Sequence, residues 1–179
     1  MLLPVSGPSK KISSEQELHA VALRALMRRA HSVHEMKQYL ARRCDGSEVV
    51  VRVIARLREE KYLDDARYAF DYMRQHAQSR RQGRFRIARE LRARGVPDQH
   101  IDAAADAVFA ETDESALVRA RLKRRLALLR GPLDKRKLAS LYRSLLRAGF
   151  SADTVRAELR AASRAELSDL ADTPAAEEA

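Results

Sequence analysis

The chain has no tryptophan, and aromatic residues make up only 5% of its 179 residues. That scarcity argues against an aromatic-lined small-molecule pocket and against a sheet that stacks nucleic-acid bases. One cysteine, Cys44, leaves no internal disulfide to form and fits a reducing compartment. The six glycines lie scattered at 7, 46, 83, 95, 131 and 149, so no phosphate-cradling loop is present, and neither G-x-S-x-G nor H-E-x-x-H occurs. With no nucleophile–base set, neither an enzyme activity nor a cofactor is expected. No stretch approaches the roughly 18 apolar residues of a membrane span. The opening Met1-Leu2-Leu3-Pro4-Val5-Ser6-Gly7-Pro8 lacks both a basic start and a long apolar run, so no secretory signal is expected. A cytoplasmic location with no membrane partner follows as the expectation.

What the chain has in excess is positive charge. It carries 35 Lys plus Arg against 25 Asp plus Glu, a net +10. Five acids and no base follow Arg164 (Glu166, Asp169, Asp172, Glu177, Glu178), so residues 1–164 hold every base and a net +15. Such an excess on a small body points to a polyanionic partner, a nucleic acid or a strongly acidic protein surface.

Apolar residues recur with helical period nearly throughout. Leu18, Val21, Ala22, Ala25 and Leu26 mark one stripe; Val50, Val53, Ile54 and Leu57 mark another; Leu138, Leu141, Tyr142 and Leu145 mark a later one. Val49-Val50-Val51 alone could suggest a strand, but it lies inside a 3.6 period and reads as helix. Ser14-x-x-Glu17 and Ser32-x-x-Glu35 have capping-box spacing. Asp64 and Asp134 suit N-caps. Arg94-Gly95-Val96 and Ala148-Gly149-Phe150 read as helix ends, with Pro97 placed where a new helix can begin.

These endings repeat. Leu91, Gly95, Val96 and Ile101 align with Leu145, Gly149, Phe150 and Val155 at a constant offset of 54. Leu40 and Val50 align with Leu91 and Ile101 at 51, with Cys44 near the place of Gly95. The expectation is an all-α chain of three tandem three-helix repeats, 15–62, 63–111 and 112–163, forming an elongated, curved modular chain. Residues 1–14 and the acidic stretch 164–179 are expected to be disordered tails. A unit of about 50 residues barely buries enough apolar surface to stand alone, so neighbours should lean on one another.

Three local features have ordinary explanations. His31 and His34 stand three apart with no completing ligands and read as surface histidines, not as a metal site. Cys44 reads as a half-buried structural thiol. Asp64-Asp65 at a helix start fits capping and the positive dipole end better than a metal-binding pair. The basic stretches resist so plain a reading. Between Arg74 and Arg94 there are eight arginines against Glu90 alone, and between Arg119 and Arg147 eleven bases against Asp134 alone. Arg80/Arg84, Arg121/Arg125 and Arg143/Arg147 are repulsive i,i+4 pairs, an unfavourable arrangement that suggests a face kept for a polyanion.

Lys61-Tyr62-Leu63-Asp64-Asp65-Ala66-Arg67-Tyr68-Ala69, with Arg81-Gln82-Gly83, Ile87, Glu90-Leu91 and Arg94-Gly95-Val96, closely resembles the RecX family of bacterial recombination regulators. The resemblance runs from about Glu17 to Ala162; Cys44-Asp45-Gly46 departs from the R-G-apolar turn. It implies tandem three-helix repeats that act on RecA, the recombinase that polymerises on single-stranded DNA. Family members lodge along the filament groove, oppose its growth and restrain ATP hydrolysis, strand exchange and cleavage of the SOS repressor. The partners implied are RecA and its filament on single-stranded DNA, with direct contact to the DNA phosphate backbone also open, and a monomer is expected. The expected contact residues are Arg80, Arg81, Arg84, Arg86, Arg89, Arg92, Lys123, Arg124, Arg125, Lys135, Arg136, Lys137 and Arg143. Tyr62, Leu63 and Phe70 are assigned to packing between repeats, and Asp64, Asp65, Gly95 and Gly149 to structure. The alternative is a basic helix-turn-helix-like protein acting directly on DNA. Spreading the bases over several helices fits backbone or filament contact better than base reading.

Overall fold

The computed structural model describes residues 12–129 and 133–171, with side chains to 164, and all secondary structure there is helical. The helices are α1 (Glu15–Arg28), α2 (Val33–Ala41), α3 (Ser47–Glu59), α4 (Asp65–Arg80), α5 (Arg84–Ala93), α6 (Asp98–Ala110), α7 (Glu114–Leu126), α8 (Lys135–Arg147) and α9 (Ala152–Ala171). Val49-Val50-Val51 lies within α3, as the helical period requires. None of the helices is long and apolar enough to cross a membrane.

The helix starts follow the sequence signals. Ser32 and Glu35 form a complete capping box, Ser32 Oγ accepting from the Glu35 amide at 3.0 Å and Glu35 Oε2 accepting from the Ser32 amide at 3.2 Å. At Ser14 the hydroxyl accepts from the Glu17 amide at 3.5 Å. Asp64 caps α4 through the amides of Ala66 and Arg67, and Asp134 caps α8 through that of Lys137. Asp65 has a role no local pattern announces: its Oδ1 accepts from the Val33 amide at 2.9 Å, joining the starts of α4 and α2.

The chain falls into two compact units. The first joins Met1–Asp71 with Glu90–Ala104, the second Tyr72–Arg89 with Ala105–Ala179, so the division runs through α4, α5 and α6. In the first unit Leu18, Met36, Leu40, Val53 and Leu57 are fully buried in one core, with Leu91 and Ile101 buried on the added segment. In the second, Val118, Leu122, Leu141, Leu145, Phe150 and Val155 form the core, and Met73, Ala77 and Ile87 are buried. Burying a Leu or Ile side chain contributes about 1.5–3 kcal/mol.

The sequence repeat reappears as a repeated hydrogen bond. In the first unit the Arg43 carbonyl accepts from the Ile12 amide at 2.8 Å, and the Arg94 carbonyl accepts from Ser32 Oγ at 2.6 Å. In the second, the Ala148 carbonyl accepts from the Gly83 amide at 2.9 Å. Residues 43, 94 and 148 are related by the offsets 51 and 54, as 32 and 83 are by 51. In two cases the end of one repeat's middle helix thus meets the start of the middle helix before it, where free carbonyls find donors and the dipoles run head to tail. Gly95 (φ 73°) and Gly149 (φ 90°) make both junctions possible. A Cβ at Gly95 would sit 2.3 Å from the His34 ring, and one at Gly149 2.3 Å from the Arg86 backbone nitrogen.

Several expectations change. Residues 164–171 continue α9, because the Ala- and Leu-rich segment favours helix, and only 172–179 of that expected tail lie outside the described residues. Residues 1–11 are likewise outside them, but Ile12 is partly buried on the first core and Ser14 caps α1. His31 is buried, its Nδ1 2.9 Å from the Arg29 carbonyl, and only His34 is exposed. Cys44 is buried and not left-handed; its thiol donates to the Gly46 carbonyl at 3.5 Å. Of the three side chains assigned to packing, Leu63 is buried whereas Tyr62 is 56% and Phe70 38% exposed. The turn explains the difference. Lys61 adopts φ 62°, and the amides of Tyr62 and Leu63 both reach back to the Leu57 carbonyl, a geometry in which Leu63 covers the helix end.

Candidate basic interface

In the first unit carboxylates answer several of the arginines. Glu35 accepts from Arg94 Nη1 at 2.8 Å and Arg29 Nη1 at 3.3 Å, besides the Ser32 amide, and Tyr68 donates to it at 3.4 Å. Burial pushes the Glu35 carboxyl up, but the Ser32 amide and the Arg29 and Arg94 guanidinium groups outweigh it and hold it below the ordinary carboxylate value. Burial, then the charge of Arg29, pushes the pKa of His31 down, so the imidazole is neutral at neutral pH. Arg92 pairs with Asp98 at 2.6 Å, so this candidate contact residue already faces a carboxylate.

The second unit also pairs bases, Arg119 with Glu158 at 3.1 Å and Arg156 with Asp153, but it draws others together. α7 starts on the Asp113 cap and ends in Lys123-Arg124-Arg125, where cations suit the negative end of a helix. Its stripe Val118, Leu122 is buried, and Arg121 lies beside that stripe, half-buried. The Arg121 Nη1 donates to the Arg81 carbonyl at 3.4 Å. Burial, then Arg125, Arg86 and Arg124 in that order, lowers the Arg121 pKa; a guanidinium stays charged nonetheless. Arg86 from the first turn of α5 and Arg121, Arg124 and Arg125 from α7 therefore gather beside the Arg81 backbone of the α4–α5 turn.

Backbone strain marks the same place. Arg81 holds φ 50°, a left-handed conformation that costs an L-residue about 1–2 kcal/mol and that glycine adopts freely. Its position is fixed by the next residues. The Gly83 amide bonds the Ala148 carbonyl, and a Cβ on Gly83 would meet the Gly149 carbonyl carbon at 2.2 Å. Buried Gln82 and His76 bond each other at 2.9 Å underneath.

The remaining candidates are distributed. Arg80, Arg81 and Arg89 are exposed, and Arg84 pairs with Asp106 at 2.9 Å. Lys135 and Arg136 are exposed and Lys137 half-buried in the first turn of α8, which contains no acid. Three bases at the positive end of a helix oppose its dipole. Arg143 is exposed further along α8. The sequence set Arg121 in a repulsive pair with Arg125, but Arg121 was not among the expected contact residues. Its signal was present, since positions 118, 121, 122 and 125 share one face of α7 and put a base beside the buried stripe. A groove of about 490 Å³ runs between α8 and α9, lined by Leu138, Tyr142 and Leu159 together with Arg156, Arg160 and Arg164. Among the described residues no group of three His, Cys, Asp or Glu could hold a metal ion.

Residues 19–57 match the family model described as RecX, first three-helix domain, and residues 64–104 that described as RecX, second three-helix domain. The chain is 40% identical over 150 residues to the regulatory protein RecX of Halorhodospira halophila, covering 84% of this chain and 91% of that relative. It is 32% identical to the regulatory protein RecX of Thermobifida fusca, covering 87% of this chain and 88% of that one. The crystal structure of RecX from Lactobacillus salivarius superposes with a TM-score of 0.69 at 20% identity, over 84% of this chain and 97% of that chain.

Proposed function

Since the chain belongs to the RecX family of regulatory proteins, we propose that it binds RecA and the RecA filament on single-stranded DNA and restrains ATP hydrolysis, strand exchange and SOS coprotease activity. Regulation by binding asks for no chemistry from the regulator, only for preference between filament states or obstruction of subunit addition. The observation that carries this reading is the gathering of the Arg86, Arg124 and Arg125 guanidinium groups around that of Arg121, which itself donates to the Arg81 carbonyl. Guanidinium groups so close repel one another and become favourable when a phosphate or carboxylate lies among them. Three tandem modules, 15–62, 63–111 and 112–163, multiply weak contacts along a filament through high effective concentration.

The test is RecA ATPase on single-stranded DNA with the protein added before or after filament assembly. Wild-type protein should lower the steady-state rate, more strongly when added first. No effect in either order would contradict the reading. Direct regulation through duplex DNA, as a helix-turn-helix protein would exert, would appear as tight binding to one promoter-sized duplex over a scrambled one. The arginines come from the α4–α5 turn, α5 and α7 instead of one recognition helix, which favours contact with a filament or a phosphate backbone.

A further inference from the structure

Aromatic side chains are scarce here, so a large exposed one on the basic surface needs a reason. Phe85 is 59% exposed in the first turn of α5, and it is the exposed large apolar residue of that helix. It lies in Arg81-Gln82-Gly83-Arg84-Phe85-Arg86, with the exposed Arg89 one turn further on the same helix face. Its backbone is held firmly: the Phe85 amide donates to the Gly149 carbonyl at 3.1 Å, two residues after the Gly83–Ala148 bond. Arg86, on its other side, belongs to the cluster around Arg121.

We propose that Phe85 is a stacking platform for an unpaired base of single-stranded DNA, with Arg81, Arg86 and Arg89 holding the phosphates beside that base. The inference rests on the reading of the Arg121 cluster as a polyanion site and adds which polyanion touches it. An exposed ring on an arginine-rich stretch, with Arg81 and Arg89 exposed beside it in the sequence, suits a strand whose bases offer π-faces and whose phosphates recur at every nucleotide. An apolar pocket on a protein partner would have to strip water from several charged arginines to reach the same ring, an unfavourable exchange. Duplex DNA keeps its bases stacked internally and offers the ring nothing.

The absence of tryptophan supplies the assay. Phe85→Trp introduces a single indole at the proposed contact. Its fluorescence should be quenched by oligo(dT), and not by a blunt duplex at equal phosphate concentration. Phe85→Ala should bind oligo(dT) about five- to hundredfold more weakly, in line with the loss of one base–aromatic stack. Phe85→Leu should lose as much, because it keeps apolar area without a π-face. Circular dichroism should report unchanged helicity for all three, the side chain being exposed. Unaltered oligo(dT) affinity in Phe85→Ala would overturn the proposal, and so would full rescue by Leu. A Phe85→Ala protein that keeps its DNA affinity but no longer binds DNA-free RecA would show a protein anchor, also contradicting it. The outcome is separable from the regulatory reading: failure of RecA inhibition in wild-type protein would refute that reading while leaving the quenching result to be judged alone.

Discussion

At the scale of single residues, two glycines and two titratable groups, His31 and Glu35, set the sharpest expectations. Gly95 and Gly149 combine a left-handed backbone with no room for a Cβ. Gly149→Ala forces a methyl against the backbone of Gly83 and Arg86, and should destabilise the protein by about 2–4 kcal/mol in urea unfolding. Gly95→Ala meets the His34 ring and also the His34 Cβ at 2.5 Å, an atom that side-chain rotation does not move, so it should lose a comparable amount. A loss under about 1 kcal/mol at either site would mean that the left-handed backbone and the close contact are not the cause. His31 and Glu35 give the first unit a pH dependence of definite sign. His31 has its pKa lowered in the folded state, so the unfolded chain binds a proton first, and stability falls as pH drops below the ordinary value of 6.5. Glu35, also lowered, contributes stability above its ordinary value of 4.5 that is lost as pH falls further, through its folded-state value. Urea midpoints measured from pH 8 to pH 4 should decline toward acid, and His31→Gln should flatten the upper part of that decline. A midpoint rising between pH 7 and pH 5.5 would contradict the buried neutral imidazole.

At the scale of elements, α8 carries an internal conflict that can be measured. Lys135, Arg136 and Lys137 stand in its first turn against the dipole. Lys135→Glu with Arg136→Glu should raise stability by about 0.3–1 kcal/mol per position while weakening polyanion binding. A double variant that gained stability and kept full binding would remove these bases from the interface. Most helices were legible in the sequence because their signals are local: a capping serine and its glutamate lie three residues apart, and a left-handed glycine closes the turn that contains it. The Asp65–Val33 bond was not legible, since it joins residues 32 apart. Tyr62 and Phe70 were assigned to packing between repeats yet are exposed, because an apolar side chain in the sequence does not say how deeply its position is covered. The extension of α9 was hidden by acidic composition, although Ala165, Leu167, Leu170 and Ala171 had helix-forming character throughout.

At the scale of the whole molecule, composition pointed to a polyanionic partner and the repeat to three modules. Neither could bring Arg121 of α7 to Arg86 of α5 and the Arg81 carbonyl of the α4–α5 turn, which meet only through tertiary packing. The second unit holds that cluster together with the bases of α8, while Glu35 and Asp98 answer several of the first unit's arginines. Affinity for single-stranded DNA should accordingly fall steeply with salt, log K dropping by about 0.7 per log unit for each phosphate neutralised. Removing cluster arginines should make that slope shallower. The most direct measurement is inhibition of RecA's DNA-dependent ATPase by wild-type protein and by the Arg121→Glu/Arg125→Glu variant, with helicity verified in both. A large loss of inhibitory potency in the folded double variant is the predicted result; wild-type potency would contradict the assignment of regulation to this cluster.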